Sequence, residues 1–178
     1  MFPSELLDYL TAPGRLIIGI DGRSGAGKTS FARQLAQCTD RDVLQLEVEE
    51  FIAGWDGLST GIADIAEQIV RPLREQGWTT AAKWDWWANE WHSPSRIPPT
   101  GSADLIFLTG CGATAKPIVP YLDLTIWLDA PAAVRKERVR RRDSYDWSAQ
   151  WEQWAAQESQ LLAQYPSDQL ADFKLQTG

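Results

Sequence analysis

The apolar positions along the chain follow two rhythms. Leu16-Ile17-Ile18-Gly19-Ile20, Leu105-Ile106-Phe107-Leu108 and Leu124-Thr125-Ile126-Trp127-Leu128 are short runs with almost no polar interruption. Such runs suit strands buried on both faces of a parallel sheet. Val43-Leu44-Gln45-Leu46 is a further candidate strand, and Phe173-Lys174-Leu175 a last one. Between them the spacing turns helical. Leu6, Leu7 and Leu10 share one side of 3–11, which Pro13-Gly14 closes, and Phe31, Leu35 and Cys38 recur through 28–38. Ile62, Ile65, Ala66 and Val70 repeat through 59–75, with Pro72 a candidate break. Residues 131–142 read as a basic helix. Residues 147–165 read as an amphipathic one, with Trp147, Trp151, Trp154, Leu161, Leu162 and Tyr165 in one stripe. Strands alternating with helices predict an α/β fold with a parallel sheet.

Residues 76–103 keep neither rhythm and are rich in Trp, Pro and Gly. They are expected to form an irregular excursion over a cleft. No repeat, linker or low-complexity segment divides the chain, so residues 1–178 are expected to be one domain, long enough to bury one core.

Composition narrows the function classes. A chain 44% hydrophobic and 23% charged is that of a folded protein. A net charge of −7 argues against broad binding to nucleic acid or to an anionic membrane, although a local basic site lies between Arg135 and Arg142. No apolar run approaches a membrane span, and the start Met1-Phe2-Pro3-Ser4-Glu5 lacks the features of a signal peptide, so a cytoplasmic location is expected. Cys38, Cys111 and His92 are too few for a disulfide framework or a Cys/His zinc site. Ten tryptophans are the outlier, and six of them fall between Trp55 and Trp91.

The strongest chemical signal is Gly22-Arg23-Ser24-Gly25-Ala26-Gly27-Lys28-Thr29, a complete G-x-x-x-x-G-K-[ST] motif between a buried strand and a helix. Its glycines let backbone N–H groups turn inward around phosphate oxygens, and the next helix, with Ser30 in its first turn, points its positive end at them. Lys28 suits the β- and γ-phosphates, and the Thr29 hydroxyl suits Mg²⁺. These residues predict a nucleoside triphosphate site; the motif alone does not specify the reaction that binding serves.

The segment Ile18–Thr29 resembles the opening of the uridine kinase-like P-loop kinases, in particular a small bacterial branch. The resemblance continues through Gly54-Trp55-Asp56-Gly57-Leu58, Trp84-Asp85-Trp86, Leu128-Asp129-Ala130-Pro131, the arginines up to Arg142-Asp143, and Trp151-Glu152-Gln153-Trp154-Ala155-Ala156-Gln157-Glu158. It implies a three-layer nucleoside or nucleotide kinase fold with a five-stranded parallel sheet and an arginine-rich lid. It also implies Mg²⁺-ATP as donor and a small hydroxyl compound, nucleoside-like, as acceptor.

Two positions depart from that family. Where it carries an Asp pair after the second strand, this chain has Glu49 and Glu50. The extra methylene shifts the carboxylate by about 1.5 Å, one C–C bond, and misplacements of ~1 Å can cost about a hundredfold in rate. Where relatives carry an acid after the third core strand, this chain has Thr109 in Leu108-Thr109-Gly110-Cys111-Gly112. A hydroxyl organises Mg²⁺ less well than a carboxylate.

The remaining candidates come from spacing and charge. Arg135, Arg138 and Arg142 share one helix face and suit a clamp on the transferring phosphoryl group. Glu47, Glu49 and Glu50 lie where ligands sit in open α/β sheets, as a general base and an outer metal ligand, with Asp56 a competing base. Trp55, Asp56, Asp85 and Trp86 are candidates for the acceptor pocket, with Trp84, Trp87 and Trp91 beside them, and the same aromatic excursion also suits a homodimer surface. Glu158 interrupts an apolar stripe and is expected to pair with an arginine, the lid helix being one source. Cys38, Cys111 and His92 carry no assigned chemistry.

The leading reading is therefore a Mg²⁺-ATP-dependent kinase of a small hydroxyl compound. The alternative is an ATP-binding regulatory or degenerate kinase-fold protein, which Thr109 and the Glu-for-Asp change motivate. A hydrolase or GTPase is a third, and the absence of an Asn/Thr-Lys-x-Asp motif favours adenine over guanine.

Overall fold

The computed structural model describes residues 2–142 and 148–177. The chain enters through α1 (Ser4–Leu10), β1 (Leu16–Asp21), α2 (Lys28–Ala36) and β2 (Val43–Glu47). It continues through α3 (Leu58–Ile65), a π-helical turn Ala66–Val70 and α4 (Arg71–Gln76). Four short strands come next: β3 (Thr79–Ala81), β4 (Trp84–Asp85), β5 (Glu90–Trp91) and β6 (Ser95–Ile97). The last elements are β7 (Leu105–Thr109), β8 (Leu124–Asp129), α5 (Ala132–Arg142), α6 (Ser148–Gln164), α7 (Ser167–Leu170) and β9 (Phe173–Gln176). The α/β class and the five-stranded parallel sheet agree with expectation, in the order β2-β7-β1-β8-β9.

Alternation along β1 divides the core into two layers. Ile18 and Ile20 face α1 and α2 with Leu6, Leu10, Leu35, Phe107, Ile126 and Leu128. Ile17 faces the other way, onto Leu46, Ile106 and Leu108 and the helical face Leu58, Ile62, Ile65, Ile69 and Leu73, with Trp154 and Leu161 of α6. Strands β1 and β7 are buried at every position, which is why their sequence shows no polar alternation. Burying a Leu or Ile side chain fully is worth about 1.5–3 kcal/mol, so these two layers dominate the fold's stability.

Local chemistry explains the departures from the periodic pattern. Pro72 has no N–H for the carbonyl of Gln68 one turn back, and that carbonyl accepts the hydroxyl of the buried Thr79 instead, at 2.8 Å. The chain stays helical across the break by widening into the π-turn. Helix α2 stops at Ala36, so Cys38 lies beyond it and is exposed, while Ala32 and Leu35 carry the buried face.

The excursion is more ordered than its sequence suggests. Strands β3 and β6 pair antiparallel, and β4 and β5 pair beyond them toward the tip. Trp84 and Trp91 are directly opposed and meet edge to face, with ring centroids 5.2 Å apart. Asp85 accepts the backbone N–H groups of Trp87 and Ala88, and Asn89 takes a left-handed φ of 56° to complete the turn. Among the described residues no helix is long and apolar enough to cross a membrane.

Candidate active site

The motif Gly22–Thr29 sits where β1 ends and α2 begins, at the carboxyl edge of the sheet. Several of its carbonyls are held by side chains of α5 and of the segment after β9. Arg135 donates to Ser24 O at 3.1 Å and to Ala130 O at 3.2 Å, Arg138 to Gly25 O at 3.4 Å, and the Thr177 hydroxyl to Ala26 O at 2.6 Å. Arg138 also bonds the Thr177 hydroxyl and carbonyl. Gly25 has φ +80°, and a Cβ there would lie 2.4 Å from the Arg135 carbonyl, so only glycine lets the loop meet α5 this closely. Ala26 is buried, Arg23 is partly exposed and Ser30 is exposed on the first turn of α2. Arg135 and Arg138 of α5 thus grip the loop's backbone, and Arg142 lies in the exposed last turn of α5.

Lys28 folds back onto the loop. Its ammonium donates to Gly22 O at 2.7 Å and Arg23 O at 3.3 Å, and meets Cys111 Sγ at 3.6 Å. Burial alone would lower its pKa, but the Cys111 sulfur and the acids Glu49, Glu158 and Asp21 outweigh burial and hold it above the ordinary lysine value. Cys111 is buried and also lies 3.5 Å from Gly22 O and 3.3 Å from Glu158 Oε1. Burial pushes its thiol well above the ordinary cysteine range, while Lys28 pulls it the other way.

Asp21, buried at the end of β1, joins the loop to the segment after β7. Its carboxylate accepts N–H groups from Gly22 at 2.7 Å, Gly112 at 3.0 Å and Thr114 at 3.0 Å, and the Thr114 hydroxyl at 2.9 Å. Burial raises its pKa, and these donors with Lys28 pull against that rise. Sequence reasoning misses this anchor, because Asp21 reads there as one more residue before a glycine loop.

The acids after β2 divide their work. The Thr29 hydroxyl donates to Glu47 Oε1 at 3.0 Å. Glu49 accepts the Cys111 N–H at 3.0 Å, and a Cβ on Gly110 would come within 2.5 Å of its other oxygen, so glycine at 110 is what admits this carboxylate to the loop side. Glu50 instead pairs with Lys83 at 2.8 Å and reaches back to the Glu47 N–H at 3.4 Å, closing a capping box on the short helix Val48–Phe51. Thr109 is buried and gives its hydroxyl to Leu46 O at 3.3 Å. Its neighbour in register on β2 is Glu47. Thr29 and Glu47 therefore present two hard oxygens side by side, a pair whose chemistry fits Mg²⁺. Among the described residues there is no group of three or more metal-ligating side chains, and Mg²⁺ commonly takes its other ligands from phosphate and water.

The acceptor candidates are only partly brought together. Trp55 and Trp86 meet edge to face at 5.1 Å, and each lies 6.0 Å from Trp154 of α6. Trp86 donates its indole N–H to the backbone carbonyl of Glu49 at 3.0 Å, which ties this cluster to the segment that carries the carboxylate. The indole nitrogen of Trp154 is buried without a hydrogen-bond partner. Asp56 accepts Gln153 of α6, and Gln157 bonds both the Trp55 carbonyl and, at 3.0 Å, the Leu58 N–H. Asp85 lies out on the hairpin, capping its turn, with His92 3.4 Å away. Trp87 is 81% exposed at the tip.

Glu158 does have an arginine partner, but it is Arg23 of the loop, at 3.8 Å, rather than a lid residue. Its closest donor is the backbone N–H of Ser24, at 2.7 Å. Trp151 lies under Arg135 and Lys136 at 5.8 and 5.4 Å from their cations. Trp147 and Asp143 lie outside the described residues.

A five-stranded parallel sheet in this order, with the glycine loop at the tip of its central strand, is the P-loop small-molecule kinase fold. Comparison with solved structures agrees. A possible uridine kinase from Bacillus stearothermophilus superposes with a TM-score of 0.68 at 20% identity, over 97% of this chain and 98% of that one. A Silicibacter protein named provisionally as a fructose transport system kinase gives 0.69 at 14% identity, over 96% and 98%. Shikimate kinase from Acinetobacter baumannii, in complex with shikimate, gives 0.54 at 18% identity, over 99% and 88%. No protein-family model matches the chain.

Proposed function

We propose that this protein is a Mg²⁺-ATP-dependent kinase that phosphorylates a hydroxyl of a small, nucleoside-like molecule. The observation that carries the reading is the pairing of the Thr29 hydroxyl, at the end of a complete phosphate-loop motif, with Glu47 of β2. A carboxylate beside the magnesium-ligating hydroxyl is what Thr109 fails to supply, and Glu47, its neighbour across the sheet, supplies it from the next strand. That favours catalysis over a binding-only protein.

The residues divide the reaction between them. The inward N–H groups of Gly22–Thr29 and the Lys28 ammonium hold the triphosphate. Thr29 and Glu47 hold Mg²⁺, which when bound neutralises charge on the phosphates. Glu49 stands on the loop side of the acidic run and takes the proton of the attacking hydroxyl, while Glu50, tied to Lys83, keeps that run in place. Arg135 and Arg138 fix the loop's outer carbonyls so that its N–H groups stay turned inward, and Arg142 completes the lid. Trp55 and Trp86 offer aromatic surface next to Glu49 for a flat acceptor, with Asp56 at the rim, whereas Asp85 serves through the hairpin that carries Trp86.

The test is ADP release from Mg²⁺-ATP with a panel of nucleosides and sugars. Acceptor-stimulated release that Lys28→Ala abolishes supports the reading. Nucleotide binding without release from any acceptor favours the regulatory alternative.

A further inference from the structure

Glu158 is a charged side chain only 4% exposed, and it serves none of the steps above. A buried carboxylate is costly unless donors compensate it. Its donors all belong to the nucleotide loop and its surroundings. Oε1 accepts Ser24 N–H at 2.7 Å and contacts Cys111 Sγ at 3.3 Å, and Oε2 faces Arg23 at 3.8 Å. Cys111 Sγ in turn touches the Lys28 ammonium at 3.6 Å. An anionic oxygen on a loop N–H, one sulfur away from the loop lysine, has the chemistry of a terminal phosphate oxygen. Ser24 is the third residue of the motif, and Lys28 is the residue that reaches the β- and γ-phosphates. The carboxylate therefore stands toward the terminal end of a bound triphosphate.

We propose that Glu158 is a specificity-determining residue that stands at the γ-phosphate end of the loop and is displaced when a triphosphate binds. This rests on the proposed nucleotide reading. ATP must break the Ser24–Glu158 hydrogen bond and move a like charge aside, whereas ADP, one phosphate shorter, leaves the contact in place. Wild type thus binds ATP more weakly, relative to ADP, than its loop would alone.

The test is calorimetric titration of wild type, Glu158→Gln, Glu158→Asp and Lys28→Ala with Mg²⁺-ATP and Mg²⁺-ADP, with a melting curve for each protein. Gln keeps the length and loses the charge; Asp keeps the charge and falls a methylene short of Ser24. Both variants should tighten ATP by about tenfold, the worth of one hydrogen bond to a charged group, with ADP moving by less than about threefold. Wild-type ATP affinity in Glu158→Asp would reduce the effect to simple repulsion and overturn the displacement. So would equal changes for ATP and ADP, or weaker ATP binding in either variant. Should one variant not fold, the other decides; loss of the fold in both assigns Glu158 to stability and overturns the proposal. If wild type and all variants bind neither nucleotide, the nucleotide reading itself falls, a result distinct from each of these.

Discussion

The Thr29 hydroxyl donates to Glu47 Oε1 at 3.0 Å, and Glu47 stands beside Thr109 in the sheet. In the proposed kinase, Glu47 of β2 takes the place of the acid absent after β7, one strand away. Glu47→Gln keeps an acceptor for Thr29 but removes the charge that would favour a cation. In the kinase reading it raises the Mg²⁺ concentration for half-maximal activity by about 10–100-fold, the usual cost of losing an orienting partner of a metal ligand. A magnesium titration of the rate checks this. An unchanged requirement would remove Glu47 from the metal site.

Glu49 and Glu50 are neighbours in sequence with different surroundings, Glu49 on the Cys111 N–H and Glu50 on Lys83. Glu49→Gln should lower kcat by about 10²–10⁴, the range for a general base, with the KM for ATP little changed. Glu50→Gln should cost about tenfold or less, because a half-buried ion pair away from the reacting atoms contributes little. Steady-state kinetics on both variants, with whichever acceptor stimulates ADP release, separates them; the reverse order would move the base to Glu50.

Asp21 bonds four donors from two chain segments while buried, so its removal leaves several N–H groups without partners. Asp21→Ala should destabilise the protein by about 3 kcal/mol or more. Urea denaturation reads that loss directly. Asp21→Asn, which still accepts hydrogen bonds, should recover part of it.

The sheet is legible in the sequence because strands buried on both faces need uninterrupted apolar runs, as in Leu105–Thr109. The phosphate loop is legible because its chemistry demands glycines and a lysine at fixed spacing. What escapes are contacts joining residues far apart in the chain. Glu158 stands 134 positions from Ser24, and Lys28 stands 83 from Cys111, so no local period announces either contact. Glu158 betrays only its cost, as a charge in an apolar stripe. Cys111 gives no sign, since a buried cysteine in a glycine turn reads as filler. The hairpin escapes because two-residue strands are shorter than any window that detects alternation, and Asp85 looks like a ligand because a capping aspartate has the same letter as a binding one.

That distinction can be tested through the titration of Asp85. Its carboxylate accepts the N–H groups of Ala88 and Trp87 and faces His92, which hold its pKa below the usual 3.8. A carboxylate with a depressed folded pKa stabilises its structure fully above the unfolded value and loses that contribution as pH falls through the folded one. The hairpin should therefore keep its cap at neutral pH and release it only below 3.8. The amide proton shifts of Trp87 and Ala88, followed by NMR from pH 6 to about 2.5, should share one inflection below 3.8, and Asp85→Asn should abolish it. If Asp85 bound the acceptor, adding the identified acceptor would shift these same amides, and the Asn variant would raise its KM. As a turn cap, Asp85 should show neither effect, and Asp85→Asn, still an acceptor for both N–H groups, should leave the Trp84–Trp91 pairing of the hairpin intact.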